Sequence, residues 1–214
     1  MRFEPMWTDR LLLRPVRLED AVSLAARRSE PAVARFQNWT LPYPIEKAEE
    51  LVAELVTMDG PQNEQWWMAV IVDSTTDEPI GDLAVHMTWG MRSAEIGYTL
   101  GSRHWGKGYA TEAAEALIEF LFSHQSLTRI SASLHPDNVA SAMVLERLGF
   151  LFEGHTRLSF WVGTDNSDDW LYGMTRADWR SWKARSRHKP AAIELLPVDH
   201  MNMRDVAALR THKS

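Results

Sequence analysis

The residues best arranged for chemistry lie between positions 101 and 112: Gly101-Ser102-Arg103-His104-Trp105-Gly106-Lys107-Gly108-Tyr109-Ala110-Thr111-Glu112. The segment follows a predicted strand and opens a predicted helix. Gly106 and Gly108 permit positive φ and a close approach of backbone to ligand. A helix start leaves its first N–H groups without intrahelical partners, and the macrodipole adds partial positive charge there. Such a corner suits a phosphate or pyrophosphate. Arg103 and Lys107 could add charge to it. The plainer alternative is a glycine-rich turn with no ligand. An arginine three residues before Gly-x-Gly, directly ahead of a long amphipathic helix, favours the phosphate.

Other chemistries fall away on residue types. Gly101 to Lys107 fits G-x-x-x-x-G-K, but a P-loop needs Ser or Thr next to hold Mg²⁺, and Gly108 stands there. The dinucleotide pattern G-x-G-x-x-G is absent, since Gly106-x-Gly108 runs into Ala110-Thr111. With no Cys in 214 residues there is no thiolate nucleophile, disulfide framework, Fe–S cluster or Cys-type zinc site. His86, His104, His135 and His155 lack metal-ligand spacing, so no metal is expected. A net charge of −6, from 23 Lys+Arg against 29 Asp+Glu, argues against a nucleic-acid partner and mildly favours cationic ones. No apolar run approaches bilayer length, and Met1 to Arg10 has no apolar signal-peptide core. A soluble, cytoplasmic protein without a membrane partner is therefore expected.

The elements that must position these residues are legible in outline. Leu11 to Val16 reads as a strand near an edge because of Pro15, and a helix opens at Glu19-Asp20 with Ala21, Leu24 and Ala25 at helical spacing. Asn38 to Pro44, with two prolines, is an irregular loop, and Ile45 to Met58 is a second helix. Trp66–Asp73, Ile80–Thr88 and Ala94–Leu100 form an antiparallel meander. Tyr109 to His124 carries an apolar stripe of Ala110, Ala113, Ala114, Leu117 and Leu121. Arg129 to His135 alternates as a half-buried strand, and Asn138 to Leu148 is a short helix closed by Gly149. Phe150–Glu153, Leu158–Val162 and Trp170–Thr175 are expected as the last strands, with a polar loop from Gly163 to Asp168. The fold class is α+β, a three-layer α/β/α arrangement. Residues 1–185 form the main domain. Residues 186–214 read as a linker and tail, in which Ile193 to Val198 and Asp205 to Leu209 echo Leu11 to Val16 and Asp20 to Leu24. Chance similarity remains open for that echo, as does the start of a second, unfinished copy of the domain or an exchanged strand.

Five pieces in register carry a family resemblance: Thr8-Asp-Arg-Leu-Leu-Leu-Arg14-Pro, Ala94-Glu95-Ile96-Gly97-Tyr98, Trp105-Gly-Lys-Gly-Tyr-Ala-Thr111-Glu112-Ala113, Asn138-x-x-Ser141, and Leu145-Glu-Arg-Leu-Gly149-Phe150. With Arg103-His-Trp-Gly106-Lys-Gly108 matching Q/R-x-x-G-x-G/A, the sequence resembles the GNAT superfamily of N-acetyltransferases, in its RimJ/RimL-like branch of ribosomal-protein N-terminal acetyltransferases. The resemblance implies a mixed central sheet, splayed at its fourth strand, with helices on both faces. It implies acetyl-CoA as co-substrate. The backbone of Thr99 and Leu100 would pair with the pantetheine arm like an added strand. The amides from Trp105 to Ala110, with Thr111, would hold the pyrophosphate. Asn138 would reach the pantetheine while also capping the helix that follows it.

The implied chemistry is attack of a neutral amine on a thioester. It calls for a base, a donor for the oxyanion and an acid for the departing thiolate. Glu95, on the strand entering the glycine turn, is the candidate base; the bland role is a strand carboxylate. Ser141 is the candidate acid, because Leu145 occupies the position where many superfamily members carry a tyrosine. Its bland role is a small residue that lets the helix approach the cofactor. A second glutamate used by some RimL-like enzymes would fall near Phe160 and is missing, so ribosomal-protein specificity does not follow from the resemblance. Trp39 and Tyr98 are candidate lining for the amine acceptor. The expected activity is transfer of acetyl from acetyl-CoA to a primary amine: a peptide N-terminus first, an aminoglycoside or polyamine second. A homodimer is allowed for. The alternative is a non-catalytic CoA-binding sensor or scaffold on the same fold.

Overall fold

The computed structural model describes residues 1–162 and 165–185. The expected tail at 186–214, with its echo of the N-terminal strand and helix, lies outside the described residues. A short strand β1 (Met6–Trp7), two residues long and not expected from the sequence, precedes β2 (Leu11–Pro15), which lies within the strand expected over Leu11 to Val16. Strands β3 (Trp66–Asp73), β4 (Glu78–Thr88) and β5 (Ser93–Leu100) then continue the antiparallel meander. Seven of the eight β3 residues are apolar and six are buried, as befits a strand covered on both faces. Beyond β5 the sheet takes β6 (Arg129–Leu134), β8 (Asp165–Thr175) and β7 (Leu151–Val162), in the order β1-β2-β3-β4-β5-β6-β8-β7. Only β5 and β6 run parallel.

One face of the sheet carries α4 (Tyr109–Ser123), whose Ala113, Ala114, Leu117, Ile118 and Leu121 are fully buried. Each of its buried Leu and Ile side chains contributes about 1.5–3 kcal/mol of burial energy. The helices α5 (Val139–Arg147) and α6 (Arg176–Ala184) flank it. The other face carries α1 (Asp20–Arg28), the short α2 (Pro31–Ala34) and α3 (Ile45–Leu55). Two buried ion pairs fasten α1. Arg14 on β2 grips both Asp20 oxygens at 2.7 Å, and Arg27 reaches Asp82 on β4 at 2.5 Å. Removing one member of such a pair strands a buried charge at a cost of about 3–5 kcal/mol.

Three sequence expectations are corrected. The second helix stops at Leu55 rather than Met58. The strands expected at Phe150–Glu153 and Leu158–Val162 are one strand, β7, bulged between Phe152 and Gly154 and between Thr156 and Phe160. The polar loop expected over Gly163 to Asp168 contributes Asp165 to Asp168 to β8. Its polar side chains bond across the hairpin instead of to water alone: His155 with Asp168 at 2.7 Å, and Ser159 with Asp169 at 3.1 Å. The helix α6 was not expected. Its start is nevertheless written in the sequence, because Thr175 and Asp178 form a reciprocal capping box.

Candidate functional site

The glycine corner folds as its composition demands. A single 3-10 turn (Ser102–His104) leads from β5 into Gly106 at φ +72° and Gly108 at φ +82°, and Gly108 is the N-cap of α4. No side chain caps that end. Among the described residues, none of the backbone N–H groups from Gly106 to Thr111 has a protein acceptor, and the first intrahelical bond is Glu112 N–H to Gly108 O at 3.1 Å. A Cβ built on Gly106 would meet nothing within 4 Å, so the turn stands open. A cluster of unspent amides at an open helix start is fit to hold an anion.

The corner is braced from the N-terminal segment, a contact that sequence reasoning missed. Glu112 accepts from Thr8 Oγ1 at 2.6 Å, from Arg10 N–H at 2.8 Å and from Arg10 Nε at 2.7 Å. Burial disfavours the Glu112 charge, but these donors outweigh it and hold the carboxyl below its ordinary range. Arg10 also donates to the Lys107 carbonyl at 2.8 Å and lies 4.6 Å over the Tyr109 ring. The side chain of Tyr109 is thereby turned toward Arg10 and Asp73, and only its N–H serves the corner. The expectation that Arg103 adds charge there is corrected, because its guanidinium is paired with Glu78 at the start of β4. Lys107, exposed and outside any ion pair among the described residues, remains as the cation beside the turn. Next to it His104 is buried and accepts from Arg103 Nε at 2.9 Å. Its own burial, with the cations of Arg103 and Lys107, lowers its pKa and keeps the ring neutral.

Alongside the corner the sheet opens. The parallel ladder between β5 and β6 is limited to Ser93–Arg129, Ala94–Ile130 and Glu95–Ser131, while β6 turns to pair with β8 along its whole length. The rest of β5 therefore has a partner on one edge only. Gly101 N–H bonds Ile80 O on β4 at 3.0 Å, and Thr128 N–H bonds Arg92 O from the β6 side at 2.9 Å. Backbone polar groups alternate edges along a strand, so even-numbered residues face the opening and odd-numbered ones face β4. Of the two residues expected to pair with the arm, Leu100 borders the opening with Tyr98, and the backbone of Thr99 is turned to β4. The Leu100 carbonyl is met by Trp105 Nε1 at 2.9 Å, which fixes that indole at the corner.

Side chains alternate too, and they place the two candidate proton-handling groups on opposite faces. Tyr98 points to the α4–α6 face, where its hydroxyl meets Ser141 Oγ at 2.8 Å and Ser141 O at 3.0 Å. Asn138 caps α5 by accepting from Ser141 N–H at 3.3 Å, which leaves its amide donors unspent. Burial pushes Tyr98 well above the ordinary tyrosine range, against the lowering effect of its bond to Ser141, so it stays a proton carrier. Tyr98, expected to line the acceptor, is instead joined to Ser141. Glu95, with Gly97 and Thr99, faces α1–α3, since Thr99 is paired with Asp82, the partner of Arg27. Its carboxylate accepts from Ser133 Oγ at 3.2 Å. Trp39 lies on this face as well, its ring 4.7 Å from the Arg28 guanidinium carbon and its Nε1 bonded to Arg28 O at 3.0 Å. Leu145 is buried and offers no proton.

Among the described residues no cluster of three His, Asp or Glu side chains is placed to hold a metal, and no helix is long and apolar enough to cross a membrane. Residues 10–151 match the model of the acetyltransferase (GNAT) domain. The uncharacterised N-acetyltransferase p20 of Bacillus licheniformis is 37% identical over 157 residues, covering 72% of this chain and 86% of that protein. The ribosomal protein uS5-alanine N-acetyltransferase of Escherichia coli is 34% identical over 84 residues, 39% of this chain and 43% of its own. Among solved structures, an acetyltransferase of the GNAT family from Bacillus anthracis superposes with a TM-score of 0.72 at 23% identity, over 80% of this chain and 98% of that one.

Proposed function

This chain belongs to the acetyltransferase (GNAT) family, and on that premise we propose that it moves an acetyl group from acetyl-CoA directly to a primary amine, a peptide N-terminus in the first instance. The observation that carries the reading is the early end of the β5–β6 ladder beside the uncapped start of α4. An extended thioester arm can lie along the free edge at Tyr98 and Leu100 as a strand would. A diphosphate can sit on the amides from Gly106 to Thr111. Acetyl-CoA supplies the acyl group as an activated thioester.

The protein's own part is to hold, orient and move protons. Glu95 receives a proton from the incoming amine on the α1–α3 face, with Ser133 steadying its carboxylate. Tyr98 and Ser141 return a proton to the thiolate from the opposite face, through hydroxyls that already touch. Free amides on the open edge can carry the developing negative charge of the carbonyl oxygen. The acetyl group passes to the amine in one complex, with no acyl-enzyme. A peptide acceptor is supported by the uS5-alanine N-acetyltransferase among the relatives.

The test uses Gly106→Asn. Asparagine tolerates the left-handed backbone, and nothing in the protein blocks its Cβ. Calorimetry should give an unchanged melting temperature and at least a roughly tenfold loss of CoA affinity, or about 1.4 kcal/mol. Release of CoA is then followed with the natural chain over peptides, aminoglycosides and polyamines. Unaltered CoA affinity in the variant overturns the anion corner. CoA binding with no release toward any amine assigns the chain to the sensor role instead.

A further inference from the structure

The α1–α3 face carries a second site. A cleft of about 440 Å³ is lined by Arg28, Asn38, Trp39, Thr40, Tyr43 and Lys47. Two of these residues are cations and none is acidic, in a chain whose acidic residues outnumber its basic ones by 29 to 23. Arg28 is partly buried and has no carboxylate partner among the described residues, unlike its neighbour Arg27, which is paired with Asp82. Its ring contacts are Trp39 at 4.7 Å and Tyr43 at 5.1 Å. Its hydrogen bonds go to neutral acceptors only, Tyr43 Oη at 3.1 Å and Met68 Sδ at 3.8 Å, and its Nε is buried without any partner. Lys47, on the first turns of α3, is exposed at the rim. A half-buried guanidinium with aromatic neighbours but no carboxylate among the described residues is a receptor for an anion, and a carboxylate fits its planar fork.

On the same face of the sheet, the strand register runs from beneath the cleft to Glu95. Met68, under Arg28, pairs with Ala84, and Ala84 pairs with Gly97. This row is a low floor: a Cβ on Gly97 would meet only the Ala84 methyl, at 3.8 Å. The next row is Trp66, His86 and Glu95, in which Trp66 stacks on His86 at 5.0 Å and Glu95 is the last β5 residue paired with β6 before the opening. From Met68 to Glu95 is two strand spacings of about 4.8 Å across and one two-residue step of about 6.7 Å along, or roughly 12 Å. An extended peptide covers that in about three residues.

We propose that Arg28 and Lys47 form an acceptor subsite for a carboxylate, so that the amine at Glu95 belongs to a peptide with an acidic side chain at its second or third residue. The inference rests on the acetyltransferase reading and gives its acceptor a charge. That charge is opposite to the one the overall acidity of the chain suggested. The bound peptide lies over Ala84 and Gly97, stacks on Trp39, and presents its carboxylate to the two cations.

The experiment is CoA release from acetyl-CoA with matched peptides carrying Asp, Glu, Ala or Lys at positions 2 and 3, using the full chain and Lys47→Glu. Lys47 is exposed and outside the packed interior, so its variant keeps the fold; Arg28→Lys is the second, conservative variant. The expected KM is at least about tenfold lower for the acidic peptides than for the lysine ones, with kcat alike, and Lys47→Glu abolishes or reverses the preference. Arg28→Lys weakens it, because an ammonium does not reproduce the fork. Equal KM across the peptide charges, or a preference untouched by Lys47→Glu, overturns the subsite while leaving the acetyltransferase reading in place. Failure to bind CoA, or to release it with any peptide, overturns the reading beneath it.

Discussion

The hydroxyls of Tyr98 and Ser141 meet at 2.8 Å, and one proton between them serves two residues 43 positions apart. Because burial keeps Tyr98 protonated well above neutral pH, the pair can donate to a thiolate without first being charged. Ser141→Ala and Tyr98→Phe should each lower kcat, by about 10–100-fold, with CoA affinity nearly unchanged. Since the two act as one donor, the double variant should be little worse than either single one. Additive losses would show two separate roles. Ser141 was legible because Asn138-x-x-Ser141 is a local pattern at a helix start. The bond between Tyr98 and Ser141 was not legible, for the converse reason. The partner of Tyr98 comes from a helix far along the chain, and no spacing encodes that. The same holds for Arg103, whose charge was counted toward the corner until Glu78 on β4 claimed it.

Among elements, the join between the N-terminal segment and α4 shows where local reading stops. Gly106 and Gly108 could be read as a turn because positive φ is a property of single residues. Thr8, Arg10 and Glu112 each looked like part of a motif without a purpose, and the purpose is one another. Their bonds span about a hundred positions and fix where α4 begins. Glu112→Ala removes an acceptor serving three donors and should cost about 1–3 kcal/mol. For a domain of this size that lowers the melting temperature by roughly 2–4 °C per kcal/mol. The sign with pH follows from the depressed carboxyl. Its contribution is complete above the unfolded value near 4.3 and is lost as pH falls through the lower folded one. Thermal melts at pH 7 and in acid should therefore differ between the natural chain and the variant at pH 7, and converge in acid. A constant difference across pH would place the effect in packing rather than in the charge. The β7–β8 hairpin teaches the complementary lesson. Gly163 to Asp168 read as a polar loop, yet Asp168 bonds His155, and next to it Asp169 bonds Ser159, across paired strands.

In the molecule as a whole the sheet is a partition with one opening, and the two faces are closed differently. The α1–α3 face is fastened by ion pairs and keeps the Arg28 cleft; the α4–α6 face is closed by apolar packing. The last piece of that packing is α6, whose Trp179 and Trp182 are 6% and 8% exposed and stack at 4.9 Å. Trp182 donates to Arg147 O at 2.9 Å, and its ring lies against Gly149, where any Cβ would strike it. Gly149 stands at φ +89°, so the end of α5 and the seat of α6 are one feature. The sequence marked Gly149 as a helix end and placed the domain limit at residue 185, but gave no periodic sign of so short and tryptophan-rich a helix. We propose that limit as the functional one. A chain ending at Arg185 keeps every buried residue of the described core. It should melt within about 2 °C of the full chain, less than the shift one kcal/mol brings at this size. Its CoA affinity should be unchanged. A chain ending at Thr175 uncovers Phe122 and the α5 end at Arg147 and Gly149 together and should not fold cooperatively. If instead the 1–185 chain loses CoA affinity or melts more than about 5 °C lower, the residues beyond 185 are part of the working domain, and Ile193 to Val198, whose sequence echoes Leu11 to Val16, is the segment to examine first.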